Sequence, residues 1–272
     1  MICSNNDLGT SWCLVRGVSF QTVCSHWVRR EAVSFGAASV AMNKAKQIGL
    51  KTLSLILGAR FYERLHLRIR QLRSNQSAFT EIYNANSWGS NESASGDGST
   101  FEGASAIREV LPKLLIELKA RSLLDMGCGD FNWMRTIDLP DVSYFGVDVV
   151  KPLLERNIEL YGRKDRTFLY ADIAKDPLPT CDIAMCRHCL IHLPNRQVAA
   201  TLKNLKTSGA KYFLTTTFPG LTVNGDIWSG SFRPINLELP PFNLPKPLRT
   251  FVDSATGDRT GVLGLWLVRE FS

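Results

Sequence analysis

Asp125, Gly127 and Gly129 stand together in the run Leu123-Leu124-Asp125-Met126-Gly127-Cys128-Gly129-Asp130, where chemistry is easiest to read. A short apolar stretch ends in a carboxylate and turns through two glycines. Glycine lets the backbone turn tightly and lets a ligand approach the main chain closely. Two glycines alone fit many turns, so the carboxylate matters. A dinucleotide pyrophosphate is anionic and avoids an acid at that place, and the third glycine of its fingerprint is here Asn132. A cationic ligand bearing a sulfonium and an ammonium group would gain from the same acid. Asp148 ends the next apolar stretch, 23 residues after Asp125, where an acid accepts hydrogen bonds from ribose hydroxyls. Asp172, followed by Ile173, comes after the third, where it can meet the exocyclic amine of an adenine. One aspartate at such a position reads equally as a turn or helix cap, whereas three in register are hard to explain that way.

The elements that must position these residues follow from the pattern around them. Apolar runs at 122–126, 144–149, 167–171, 182–186, 211–217 and 264–268 read as buried strands, with helical patterns at 151–161 and 195–207 between them. Mostly continuous apolar strands alternating with helices predict an α/β fold, a parallel sheet covered on both faces. Ser99 and Glu102 stand at capping-box spacing and predict a helix from about 102 to 119. Residues 84–100 form a polar glycine- and serine-rich loop long enough to be a lid. Residues 218–248, rich in Pro, Asn and Gly, read as an ordered insertion over the substrate pocket.

With these signatures in place, the segment 121–217 resembles a class I S-adenosylmethionine-dependent methyltransferase. The runs SWGSNESASGDGST (87–100), CRHCLIHLPN (186–195) and TTTFPG (215–220) resemble a largely uncharacterised bacterial subgroup of that superfamily. The resemblance implies a Rossmann-like, seven-stranded, mostly parallel sheet with helices on both faces, and S-adenosyl-L-methionine as cofactor. It would place Asp125, Gly127 and Gly129 along the methionine moiety, Asp148 on the ribose, and Asp172 with Ile173 at the adenine. The glycine motif departs from the fuller GxGxG form, since Asp130 and Phe131 follow Gly129, which bears on the path of the loop.

In families of this fold the residues after the fourth strand sit beside the transferable methyl; here they are Arg187, His188, Cys189 and His192. Arg187 or His192 is expected to face the substrate, with His188 peripheral, standing where the subgroup has an acid. Methyl transfer is an in-line displacement in which the protein chiefly aligns the reacting atoms. An alcohol acceptor would benefit from a general base, for which His192 is the first candidate and Glu92 the second; an amine needs only positioning. Trp88, Glu92 and Ser93 from the first loop, with Trp228, Arg233 and Asn236 from the insertion, are expected to cover a small polar acceptor such as a sugar from two sides. The competing structural reading makes His192 a core hydrogen-bonder and the two tryptophans anchors for long loops. Cys186-x-x-Cys189 with His192 lacks the fourth ligand of a zinc site, so packing is the better account and no metal is expected.

The composition, 44% hydrophobic and 21% charged over 272 residues, excludes a disordered or fibrous chain. The net charge of +7 is lopsided: residues 1–80 hold eleven Lys/Arg and three Asp/Glu, leaving twenty-one and twenty-two of the chain's thirty-two and twenty-five for the remainder. The near-neutral remainder argues against a nucleic-acid partner. Residues 1–41 are expected to be a poorly ordered extension, 42–80 a basic amphipathic helical segment, and 81–272 the methyltransferase domain. The basic segment packs on the domain or, in a sharper reading, makes weak contact with an anionic membrane surface. Seven irregularly spaced cysteines and no evident secretory signal predict a cytoplasmic location. Two other functions stay open: a membrane-peripheral binding module that keeps the fold without activity, and an NAD-dependent oxidoreductase.

Overall fold

The structure is a computed structural model that describes residues 4–5, 11–12, 73–88, 90–253 and 261–271. Its contacts divide the chain into two units, Met1–Ile69 and Arg70–Ser272. The first is described only as a short antiparallel pairing of Ser4–Asn5 with Ser11–Trp12. Most of the basic pattern at 42–74, and the extension expected at 1–41 apart from that pairing, lie outside the described residues.

The second unit contains a seven-stranded sheet. Its strands are β1 (Ser122–Met126), β2 (Ser143–Asp148), β3 (Arg166–Tyr170), β4 (Ile183–Cys186), β5 (Tyr212–Thr217), β6 (Arg249–Val252) and β7 (Val262–Leu267), in the order β3-β2-β1-β4-β5-β7-β6. The first five are mutually parallel, and β7 runs antiparallel to both β5 and β6. The helices are α1 (Asn75–Asn84), α2 (Ser105–Glu117), α3 (Lys151–Tyr161) and α4 (Asn195–Ser208). The α/β, Rossmann-like sheet expected from the sequence is therefore present.

Strand parity explains the continuous apolar runs. Successive side chains point to opposite faces, and both faces are covered. Leu124, Met126, Ala184, Cys186 and Phe213 join Val198, Leu202 and Leu205 of α4 in one core. Leu123, Ile183, Met185, Leu214 and Leu265 join Ile107, Leu111, Leu114 and Leu115 of α2 in the other. Each fully buried leucine contributes roughly 1.5–3 kcal/mol, so neither layer can be removed. α4 ends at Gly209, whose φ of +80° supplies the left-handed cap.

Three local expectations are corrected. α2 begins at Ser105, three residues later than read, and no capping box forms. Instead Thr100 Oγ1 accepts from the Gly103 amide (3.0 Å) and donates to the Asp97 carbonyl (2.8 Å), closing a turn ahead of the helix. α1 begins inside the 42–80 segment read as helical and runs four residues past it; Ser74 Oγ caps it by accepting from the Ser77 amide. β6 was also missed, because Arg249-Thr250-Phe251-Val252 is an exposed edge strand with no buried apolar run to betray it.

Candidate active site

The tips of β1 to β4 open onto one cavity of about 460 Å³. The glycine loop forms part of its wall. Gly127 and Gly129 take φ of +80° and +57°, the left-handed region that disfavours side chains. The amides of Gly127 and Cys128 donate to Val147 O (2.9 and 3.0 Å), and Asn157 Nδ2 of α3 donates to Gly129 O (2.7 Å). A methyl group on Gly129 would lie 2.1 Å from Ser95 Oγ, and one on Gly127 2.8 Å from Cys189 Sγ. Phe131 stands where the fuller motif has its third glycine, and it too is left-handed, at φ +59°. Such a conformation costs about 1–3 kcal/mol. It is offset by burial of the ring among Tyr144, Tyr161 and Phe168, with the Arg166 guanidinium 4.6 Å above.

Asp148, Asp172 and Ile173 line the same cavity. Asp148 Oδ2 accepts from the Gly129 amide (3.1 Å) and Oδ1 from the Val150 amide (3.0 Å); burial raises its pKa above the usual carboxylate value. Asp172 Oδ1 accepts from Ala174 N (3.1 Å) and from Nδ2 of Asn75 (3.0 Å), the first residue of α1.

Asp125 does not line the cavity. Parity turns it to the same face as Leu123, beneath the loop. There Tyr144 Oη donates to its Oδ2 at 2.8 Å, and Gly146 leaves room for the Tyr144 and Phe168 rings. Burial drives the Asp125 pKa up to about 7 against the lowering effect of Tyr144, and the charge of Asp148 adds to the rise. It bonds Tyr144 of β2 and lies off the cavity, where the sequence reading had it along the ligand.

The polar loop 90–103 is fastened to the glycine loop, and its residues 94–99 line the cavity. Asp130 is the anchor: its carboxylate accepts from Ser93 Oγ (3.0 Å) and the Ala94 amide (2.8 Å), and its own amide donates to Ser95 Oγ (3.0 Å). Glu92 Oε1 accepts from the Phe101 amide and from Asn132 Nδ2, both at 2.7 Å. Glu92 and Ser93 therefore brace the loop outside the cavity, and neither is placed as a base or a substrate contact. Trp88 does line the cavity, its ring 6.2 Å from Phe79 and 5.4 Å from His192; His192 in turn lies 5.9 Å from Phe232.

His192 lines the cavity with Nδ1 2.9 Å from Ser231 O. A carbonyl only accepts, so Nδ1 carries the hydrogen and Nε2 the lone pair. Burial lowers the His192 pKa to about 4. Arg187 also reaches the cavity wall, but its hydrogens are largely committed. Nη1 donates to Gly98 O (2.6 Å), Nη2 to Gly103 O (2.7 Å) and Asp253 Oδ1 (2.7 Å), and Nε to the same oxygen (3.2 Å). It clamps loop to strand rather than presenting a charge to substrate.

The three insertion residues lie off the cavity. Arg233 donates to the carbonyls of Gly225, Leu190 and Leu193 and to Asn195 Oδ1, fixing the insertion to the segment after β4. Asn236 Nδ2 donates to Pro219 O and Leu221 O, and its Oδ1 accepts from the Glu238 amide. The Trp228 carbonyl accepts from the Ser231 amide (3.0 Å). Phe232 and Phe218 are what this insertion contributes to the lining.

No protein-family model and no curated protein matches the sequence. Among solved structures, the chain is similar to 1,6-didemethyltoxoflavin-N1-methyltransferase from Burkholderia thailandensis, which holds 1,6-didemethyltoxoflavin and S-adenosylhomocysteine. The two share 16% identity over 70% of this chain and 85% of that one, with a TM-score of 0.52. The chain has the class I methyltransferase fold. Magnesium protoporphyrin IX methyltransferase from Synechocystis PCC 6803, with bound S-adenosylmethionine, is similar at 13% identity over 71% and 96% of the two chains, TM-score 0.49.

Within this methyltransferase fold the residues that reasoning from sequence missed are Asn75, Phe79, Phe218 and Phe232 on the cavity wall, and Asp130 and Asp253 behind it; His188, read as peripheral, also lines the cavity. Asp130 had a signal, since an acid directly after a glycine loop needs a partner. Asp253 had none: no motif surrounds it, and it meets Arg187 only through the fold. Among the described residues, no group of three or more His, Cys, Asp and Glu is placed to hold a metal, and no helix is long and apolar enough to cross a membrane.

Proposed function

We propose that the chain is a methyltransferase that uses S-adenosyl-L-methionine and acts on a small polar acceptor. One observation carries the reading: Gly127, Gly129, Asp148, Asp172 and Ile173, from three neighbouring strand ends, line a single cavity of a size that suits a small ligand. The loop leaves no room for side chains at Gly127 and Gly129, so bare backbone faces the ligand. Asp148 keeps acceptor capacity beyond its two amide bonds for ribose hydroxyls, and Asp172 does so for an adenine amine, with Ile173 offering an apolar contact. When bound, the cofactor supplies a methyl group on a positively charged sulfur.

The acceptor half of the cavity is walled by Trp88, His192, Phe218 and Phe232. Such faces suit a ring compound with an apolar side, and O-methylation of a sugar or related metabolite is the finer form of the proposal. His192 would accept a hydrogen bond through Nε2. The strand order argues against the oxidoreductase alternative: a doubly wound dinucleotide fold runs 3-2-1-4-5-6, whereas here an antiparallel β7 lies between β5 and β6.

Calorimetric titration of S-adenosylhomocysteine tests the reading. Micromolar binding is expected, weakened by about 1.5–3 kcal/mol in Asp148→Ala. A folded wild-type protein that binds none overturns it.

A further inference from the structure

We propose that His188, held by Asp253, takes the proton from the acceptor, and that the acceptor group is therefore a hydroxyl. This rests on the methyltransferase reading and names the acceptor chemistry of the same cavity.

His188 lies between Arg187 and Cys189, whose sulfur closes on Gly127, and it lines the cavity. Its backbone is left-handed, φ +52°, with the amide donating to Thr216 Oγ1 at 3.0 Å. For a non-glycine residue this costs about 1–3 kcal/mol, and such strain concentrates at functional sites. Behind the ring, Asp253 is inaccessible to solvent. Its Oδ1 is held by Arg187, and its Oδ2 lies 2.8 Å from His188 Nε2. Burial alone would raise the Asp253 pKa, but His188 and the charge of Arg187 prevail and hold it at about 2. Oδ2 and Nε2 are close but not aligned as a hydrogen bond; the ionised oxygen still draws the ring hydrogen to Nε2, which leaves the lone pair on Nδ1. Nδ1 has no hydrogen-bond partner among the described residues and lies beside Gly98, where a methyl group would come within 2.5 Å of it.

The rival bases are worse placed. Glu92 is committed outside the cavity, and His192, with its pKa near 4, is a weak base whose Nδ1 is held by the Ser231 carbonyl rather than by a carboxylate. A carboxylate oriented against an imidazole is the arrangement that serves proton transfer. A neutral amine can attack through its own lone pair and shed its proton afterwards, whereas a hydroxyl gains directly from a base. As the acceptor's O–C bond forms, the carbon–sulfur bond breaks, the sulfur keeps that electron pair, and the hydroxyl proton passes to His188 Nδ1.

The test uses a methyl sulfonate ester, methyl 4-nitrobenzenesulfonate, on the full chain saturated with S-adenosylhomocysteine. Peptide mass spectrometry locates the label, and hydrolysis to amino acids distinguishes the two methylhistidines. Methylation of His188 at Nδ1 is expected, slowed at least about tenfold in Asp253→Asn, because the ring then loses its fixed tautomer. Label on His192, label on Nε2 of His188, or none at all in protein that binds S-adenosylhomocysteine overturns the proposal and leaves the methyltransferase reading standing. An unchanged rate in folded Asp253→Asn overturns the role of Asp253. Where that variant fails to fold, the wild-type labelling pattern decides. Failure of the folded wild type to bind S-adenosylhomocysteine removes the reading itself.

Discussion

The cavity has two walls, and they are made differently. The wall formed by the tips of β1, β2 and β3 takes its residues from 127–173, and backbone bonds shape it: Val147 O receives two amides of the glycine loop, and Asp148 receives a third. The opposite wall gathers Trp88, Gly98, His188, His192 and Phe232 from segments far apart in the chain, and side chains hold it. Arg187 ties Gly98 and Gly103 to Asp253, while Arg233 ties Gly225 to Leu190 and Leu193. The first wall follows from a local strand–turn–helix unit. The second depends on buried charged hubs, each of which replaces several missing backbone pairings at once.

The contrast is most exposed at Arg187. Arg187→Met should lower stability by about 3–5 kcal/mol, because it strands the Asp253 carboxylate in the interior; chemical denaturation measures it. A loss below about 1 kcal/mol would mean that the second wall does not depend on its hub.

On the first wall the sharpest effect should be one of pH. Asp125 is raised to about 7 when folded, so the folded chain holds a proton that the unfolded chain has released above the ordinary carboxylate value of 3.8. Stability from this group is full below that value and falls as pH rises to about 7, by at most about 1.4 kcal/mol per pH unit. Asp125→Asn should abolish the slope, so the variant gains on wild type between about pH 4 and 7 in parallel denaturation curves. Identical pH profiles would show that Asp125 is not buried against Tyr144.

The smallest effect expected is at Asn236. Asn236→Ala should cost about 1–2 kcal/mol for its lost bonds, with S-adenosylhomocysteine affinity within about twofold of wild type. A larger affinity loss by calorimetry would return the insertion's polar residues to the cavity.

How far the sequence could be read follows the same division. The strands β1 to β5 were legible because a parallel sheet covered on both faces demands continuous apolar runs, and Gly127, Gly129, Asp148, Asp172 and Ile173 were legible because each sits at the end of such a run. β6 escaped because an edge strand buries little, and the end of α1 at Asn84 because Asn75–Asn84 carries only a weak apolar stripe. Trp88 and His192 were named and do reach the cavity. Ser93, Trp228, Arg233 and Asn236 were named as substrate contacts but lie off the cavity; the three buried polar ones bond their own or a neighbouring loop, since a buried polar group must find partners wherever they are nearest.

Periodicity and strand-end chemistry are local, so the chain's own order determined the α/β layers and the glycine-loop wall. Which face Asp125 would meet, and which acid would stand behind His188, depended on packing. Asp125 was turned onto Tyr144 by a one-residue parity that any slip would reverse. Asp253 meets Arg187 and His188 because β7 pairs with β5 and carries β6 beside it. Contacts between residues 66 positions apart leave no periodic trace in a sequence, and tertiary structure alone brought them together.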